Sequence, residues 1–390
     1  PTPGQPDKPL LHIPVAMGLL GSGEFSEQML HLTEAEQNWT FEGFQSRPTP
    51  SLLRGYSAPV RLDYAWDEEQ LQTLLAQDGD SLARWQAGQK LALLAMQRAV
   101  RNGAADGASA EALIAALTSI LRDPGQDRQL LTELVTLPSE RVLADQYKQV
   151  DIAAVVAARG AIKTAVAVAL AEDLEALLES CTADKPYRFE PAAIGRRAVA
   201  GLCLDYLVAA DAPRIQARCL QRYFAADNMT DRVAALSALR DCPGDAREAA
   251  FADFKARGSR HALVLDKWFA LQAASRLPDG LERMRELTRH PQFTLANPNR
   301  VRALLGGFSR ANPAVFHRAD GAGYALLADQ VLALDRLNPQ VAARLVTALT
   351  DWRRYAWPQG EAMRTTLQRI QRTSALSADV FEMVDQALTG

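Results

Sequence analysis

Apolar residues recur every three to four positions along most of this chain, the spacing that gathers them into one stripe of an α-helix. Such patterns predict helices over about residues 67–77, 80–102, 109–122, 126–136, 151–181, 191–210, 212–225 and 229–240, with more following to residue 388. Asp67 and Gln70 read as a capping box that opens the first of them. The longest, opening at Asp151, is so rich in Ala and Val that neighbouring helices must cover much of it. The first sixty or so residues have another texture. Leu11, Ile13 and Val15 alternate with other residues, Trp39-Thr40-Phe41 and Val60-Arg61-Leu62 read as further short strands, and Gly21-Ser22-Gly23 and Pro48-Thr49-Pro50 read as turns.

A small antiparallel sheet over residues 1–64 therefore precedes a helical region over residues 65–390, with the boundary near residue 65. So few strands leave an open sheet edge, so the β-sandwich is expected to be incomplete. Short loops between successive helices favour antiparallel neighbours, and many such pairs in series give a curved superhelix of the armadillo or HEAT type. The class is mainly α, although no strict period of 33 to 47 residues is visible.

Composition removes several functions. Forty-three basic residues against 46 acidic ones leave a net charge of −3, with no run of one sign to contact nucleic-acid phosphates or anionic lipid. Neither nucleic acid nor membrane is an expected partner. No apolar run approaches the roughly 18 to 20 residues of a membrane helix, and PTPGQPDKP is not a secretory signal. Opening at Pro1 without Met is expected of an excised fragment or a processed product. Cys181, Cys203, Cys219 and Cys242 lie far apart in a chain of 390 residues that needs no staples, so packed, reduced thiols and a cytoplasmic location are expected. The triplets at Asn38 and Asn228 that resemble glycosylation sites carry no weight.

Motifs of catalytic type are weak. His12, His31, His261, His290 and His317 never fall three to five apart, as paired zinc ligands on one helix or loop usually do. Gly307-Phe308-Ser309-Arg310-Ala311 has the outline of a nucleophile elbow but follows a helical run rather than a strand, so Ser309 is expected to end a helix. The glycines from Gly18 to Gly23 belong to a hairpin loop rather than a phosphate cradle. Trp66, Trp85, Trp268, Trp352 and Trp357 are expected in the core between stacked helices.

The segment from residue 297 to 357 is richer. Asn297, Asn312 and Asn338 each suit an N-cap, with Pro298, Pro313 and Pro339 at the first helical position. On the helix from Pro298 the apolar stripe is Val301, Leu304, Leu305 and Phe308, which leaves Arg300 and Arg302 outside it near the positive end of the helix dipole. That placement, unfavourable by about 0.3–1 kcal/mol, suggests an external anionic partner. The helix from Pro339 is expected to bury Val341, Leu345 and Leu349 and to stack Gln340 and Arg344 on one flank.

This segment, together with PTPGQPDKPLLHIPVAMGLL, LTEAEQ, PSLLRGYSAPVRL, Asp227-Asn228-Met229-Thr230-Asp231 and LDKWFALQA, resembles the C-terminal part of bacterial aminopeptidase N. The likeness covers essentially the whole chain. It implies that residues 1 to about 64 are an immunoglobulin-like β-sandwich domain and that the remainder is a helical lid over the active site of a zinc peptidase. The His-Glu-x-x-His zinc motif and the Gly-x-Met-Glu-Asn amine-recognition motif of such enzymes are absent. The resemblance therefore assigns no catalytic or metal-ligating residue here and places the zinc in a catalytic domain of the same polypeptide. Its implied partners are that domain and peptide substrates. Residues matching Gln340, Arg302 and Arg344 reach the substrate cavity in such enzymes, the glutamine near the first side-chain pocket and the arginines on the primed side. The alternative is an autonomous helical scaffold that binds a protein or peptide on its concave face.

Overall fold

The structure is a computed structural model of the chain, and it describes residues 8–21, 26–103, 107–123, 125–181 and 186–390. Strand β1 (Ile13–Leu20) pairs antiparallel with β2 (Ser26–Leu32) on one side and β3 (Thr49–Leu52) on the other. Ile13 faces Leu32 at one end of the first ladder, and Leu19 faces Pro50 in the second. Two strand expectations fail here. Trp39-Thr40-Phe41 and Val60-Arg61-Leu62 are irregular, and the third strand forms instead at Thr49–Leu52, where a turn was expected. Pro50 cannot donate to a ladder, which reads as a turn signal in sequence, but β3 ends the sheet and an edge strand tolerates the missing N–H. Gly18 lies in β1 rather than in the hairpin loop, whose Ser22 and Gly23 fall outside the described residues.

The sheet is bolted to the helices by polar contacts. Buried Arg54 pairs with the fully buried carboxylate of Asp78 and, at 3.2 Å, with Glu27 of β2. The Trp66 indole donates to Pro50 O at 2.8 Å. Asp67 then opens α1 (Glu68–Gln77) through the expected capping box, accepting from Gln70 N at 2.8 Å while Gln70 Oε1 accepts from Asp67 N at 3.1 Å.

Helices α2 (Ser81–Asn102), α3 (Glu111–Leu121) and α4 (Arg128–Val135) follow the sequence pattern closely, and α5 (Glu140–Ala144) is an additional short turn. The segment from Asp151 divides at Leu170 into α6 (Ile152–Ala169) and α7 (Ala171–Ser180). With 18 residues and a mean hydropathy of 1.7, α6 is long and apolar enough to cross a membrane, contrary to the sequence expectation. Within the fold it packs between α2 and α8, burying Val155, Ala158, Ile162 and Val166. Its charged positions are spent on protein partners: Arg159 Nε donates to Pro138 O at 2.7 Å and Lys163 pairs with Asp205 at 2.7 Å.

Helix α8 (Pro191–Ala225) breaks at Asp211 (φ −153°, ψ 78°) just before Pro213, matching the two helices read in the sequence. Then come α9 (Met229–Leu239), α10 (Asp245–Gly258), α11 (Ala262–Ala273) and α12 (Gly280–Thr288). The last third holds α13 (Pro298–Val301), a π-helical turn (Arg302–Gly306), α14 (Gly307–Ala311), α15 (Pro313–Phe316) and α16 (Ala322–Asp335). It ends with α17 (Pro339–Val346), α18 (Gln359–Gln371) and α19 (Ala378–Thr389).

One continuous apolar core runs from Leu20 to Ala387, and all four cysteines are buried free thiols. The helical array curls back on itself. Val150 N donates to Arg354 O at 2.6 Å and Ala356 N donates to Val150 O at 2.9 Å. Beside this bridge Arg276 reaches Glu140 at 2.5 Å and Arg354 reaches Asp145 at 3.2 Å, so segments about 136 and 209 residues apart are joined.

Candidate functional site

The three Asn-Pro pairs act as their chemistry dictates. Asn297 Oδ1 accepts from the amides of Asn299 and Arg300 at 3.0 and 3.2 Å, Asn312 Oδ1 from Val315 N at 3.3 Å, and Asn338 Oδ1 from Val341 N at 3.2 Å. In each case proline occupies the first helical position, where its missing N–H costs nothing. Asn312 does more: its amide also donates to Ala273 O and Ser275 O at 2.9 and 2.7 Å, tying α15 to the end of α11.

Val301, Leu304, Leu305 and Phe308 are fully buried, as the stripe predicts. Arg300 departs from its expectation. It is only 5% exposed, pairs with Asp266 at 2.5 Å, donates to Gln292 O and lies over the Phe269 ring. Asp266 offsets the charge that the helix dipole disfavours, so Arg300 needs no external anion. Arg302 is exposed at the start of the π-helical turn, and its Nη1 donates to Asn299 Oδ1 at 2.7 Å. Asn299 is a residue the sequence reading missed, although its spacing three before Arg302 signals a shared helical flank.

On α17, Ala342, Ala343, Leu345 and Val346 form the buried face and Leu349 follows it inward, while Val341 is half-buried. Gln340 and Arg344 are exposed one turn apart. Neither side chain has a hydrogen bond or ion pair within the described residues. The structure thus joins Gln340 and Arg344 on one flank, sets Arg302 on a separate element with its own tether, and withdraws Arg300 into the interior. An unpaired guanidinium presents a planar fork of donors that fits a carboxylate through two parallel bonds.

Groups for bond-breaking chemistry are not assembled in the same way among the described residues. Among the described residues no three His, Cys, Asp or Glu side chains converge as metal ligands. His12 and His31 do meet across the sheet, Nε2 to Nδ1 at 2.8 Å, but they are two donors where a zinc site takes three or four. Ser309 sits inside α14 and donates weakly to Gly306 O at 3.4 Å. His317 is buried against Tyr324 and Tyr355, and burial lowers its pKa to about 4. Trp357, expected in the core, is 83% exposed, and Trp85 is 37% exposed.

Helical repeats behind a small sheet, with exposed donors on a late helix, define a helical-repeat region joined to a small β domain. Residues 68–389 match the family described as "Domain of unknown function (DUF3458_C) ARM repeats", and residues 1–65 match "Domain of unknown function (DUF3458) Ig-like fold". The chain belongs to this family, the C-terminal Ig-like and ARM-repeat domains of bacterial aminopeptidase N. It is 34% identical to aminopeptidase N of Escherichia coli (strain K12) over 99% of its length and 46% of that protein. It is 40% identical to aminopeptidase N of Caulobacter vibrioides over 93% of its length and 42% of that protein. Among solved structures, Legionella pneumophila aminopeptidase A in complex with aspartic acid superposes with a TM-score of 0.85 at 31% identity, covering 96% of this chain and 45% of that one. The chain therefore spans less than half the length of these relatives.

Proposed function

We propose that this chain is the substrate-facing C-terminal region of a cytoplasmic zinc aminopeptidase that removes N-terminal residues from peptides. The observation that carries the reading is the pair Gln340 and Arg344, exposed and without side-chain partners among the described residues, on a helix whose other face is packed. It is joined to a likeness that runs along 99% of the chain to an aminopeptidase N. In this reading the helical array covers the active site and narrows access to it. Arg302 and Arg344 hold the carboxylate of the peptide downstream of the cleaved bond, and Gln340 borders the pocket of the first side chain. Among the described residues no donor set fits a catalytic zinc, and in this reading metal, general base and amine recognition are supplied by the remainder of the enzyme.

The test uses the full-length enzyme. Arg302→Ala and Arg344→Ala should each raise KM for peptides with a free carboxylate about tenfold, with a much smaller effect on aminoacyl arylamides that lack one. Equal effects on both substrate types would reject the carboxylate role. Turnover of an alanyl arylamide by the 390-residue chain alone, with zinc added, would overturn the assignment of catalysis to the rest of the enzyme.

A further inference from the structure

Away from those residues, helices α10, α11 and α12 line an open cleft of about 510 Å³, within the range of small-molecule sites. Its apolar floor is formed by Phe251, Trp268 and Leu287, each largely buried with only a small part of its surface open to the cleft, and the indole is held fixed by its N–H bond to Phe251 O at 3.1 Å. Most charges around it are already matched. Glu248 accepts from Arg247 at 2.6 Å and Arg283 at 3.3 Å, and Arg283 also holds Asp279 at 3.2 Å. His290 stays neutral near pH 7, because burial, then Lys255 and Arg300, all lower its pKa.

Two charges are left over. Lys255 lies with its ammonium 5.3 Å from the Trp268 ring centroid and has no carboxylate partner among the described residues. Glu286, on the wall supplied by α12, has no cationic partner among them either, and the two do not pair with each other. Among the described residues, one unmatched cation and one unmatched anion thus flank the aromatic floor of the cleft. A ligand complementary to this arrangement carries both signs on an apolar body.

We propose that this cleft binds a small zwitterion of the amino-acid or dipeptide class with an apolar side chain. Its carboxylate pairs with Lys255, its ammonium with Glu286, and its side chain lies along Trp268 and Leu287. Paired contacts of this kind discriminate against a ligand lacking one charge, because that ligand forms one charge-assisted contact instead of two. The site stands on different helices from Arg302, Gln340 and Arg344 and does not depend on the peptidase reading.

Calorimetric titration of the 390-residue chain with L-leucine and L-leucyl-L-leucine tests this, with N-acetyl-L-leucine and L-leucinamide as singly charged controls. At least one zwitterion should bind saturably with Kd on the order of 0.1–1 mM, and each control about tenfold more weakly. Lys255→Met should lose about tenfold for the zwitterion and become indifferent to amidation, whereas Lys255→Arg should retain binding. Glu286→Gln should become indifferent to N-acetylation. Both side chains sit at the rim, so circular dichroism should show the variants folded. Absence of saturable zwitterion binding, or binding that neither variant alters, would overturn the proposal.

Discussion

Arg54 and Asp78 show how much a single buried pair decides. The Asp78 side chain is inaccessible and Arg54 is 7% exposed, so removing the anion takes from a buried guanidinium its one fully buried carboxylate partner among the described residues, Glu27 being exposed. Breaking a buried pair from one side costs about 3–5 kcal/mol, against about 0–1 kcal/mol for an exposed pair. Asp78→Ala should therefore lower stability in urea unfolding by roughly 3 kcal/mol or more, whereas Asp173→Ala, which breaks a pair with solvent-exposed Arg122, should cost far less. His317 gives a pH signature. Its imidazole accepts a proton near pH 6.5 when unfolded but only near pH 4 in the buried site against Tyr324 and Tyr355. Between those values the unfolded chain binds more protons, so this contribution is complete above pH 6.5 and is lost as pH falls toward 4. The slope is at most about 1.4 kcal/mol per pH unit, and His317→Asn should flatten stability over that window in denaturant titrations at stepped pH. Arg300 marks the limit of reading residues singly. Its helix position was legible, but its partner Asp266 lies 34 residues away and no local pattern announces it.

At the level of elements, whatever depends on local chemistry was legible. The capping box at Asp67, the three Asn-Pro starts and the break ahead of Pro213 all rest on residues within four positions of one another. The sheet was less so, because β3 gains its strand identity from pairing with β1 rather than from its own Thr-Pro-Ser-Leu sequence. The partnerless state of Gln340 and Arg344 was equally invisible, since it depends on what the other helices fail to place beside them. Gly323, early in α16, is a case where packing reverses propensity. Replacing a helical glycine by alanine gains up to about 1 kcal/mol, but a Cβ here would lie 2.3 Å from the backbone oxygen of Phe316. Backbone must move to admit it, at a typical cost of about 1–3 kcal/mol, so Gly323→Ala should lower the melting temperature rather than raise it. Gly160, inside α6 with open space around its added Cβ, is the matched control, and Gly160→Ala should be neutral or stabilising.

For the whole molecule, α17 packs directly on α16 and α19, and the curl adds a closure between distant segments of the array. A simple stack of helices transmits nothing between its ends, since each repeat touches only its neighbours. Here the Val150–Tyr355 bridge closes the array just downstream of α17, and the charges beside it differ in worth. Glu140 is nearly buried between Arg159 at 3.6 Å and Arg276 at 2.5 Å. Burial opposes its ionisation, yet the two arginines outweigh that and hold its pKa below the usual glutamate range. Its stabilising contribution is therefore present above the unfolded pKa and is lost as pH falls through the lower folded value, the same acid direction as His317. Asp145 and Arg354, both substantially exposed, form a pair that solvent screens. Glu140→Gln should thus loosen the closure, and Asp145→Asn should barely affect it. Hydrogen exchange separates the two. In Glu140→Gln the amides of Val150 and Ala356, which carry the bridge, should lose protection before those of α2, and Asp145→Asn should leave all of them unchanged. If α2 and the bridge lose protection together, the closure is inseparable from the rest of the core, and α17 is positioned by the array as a whole.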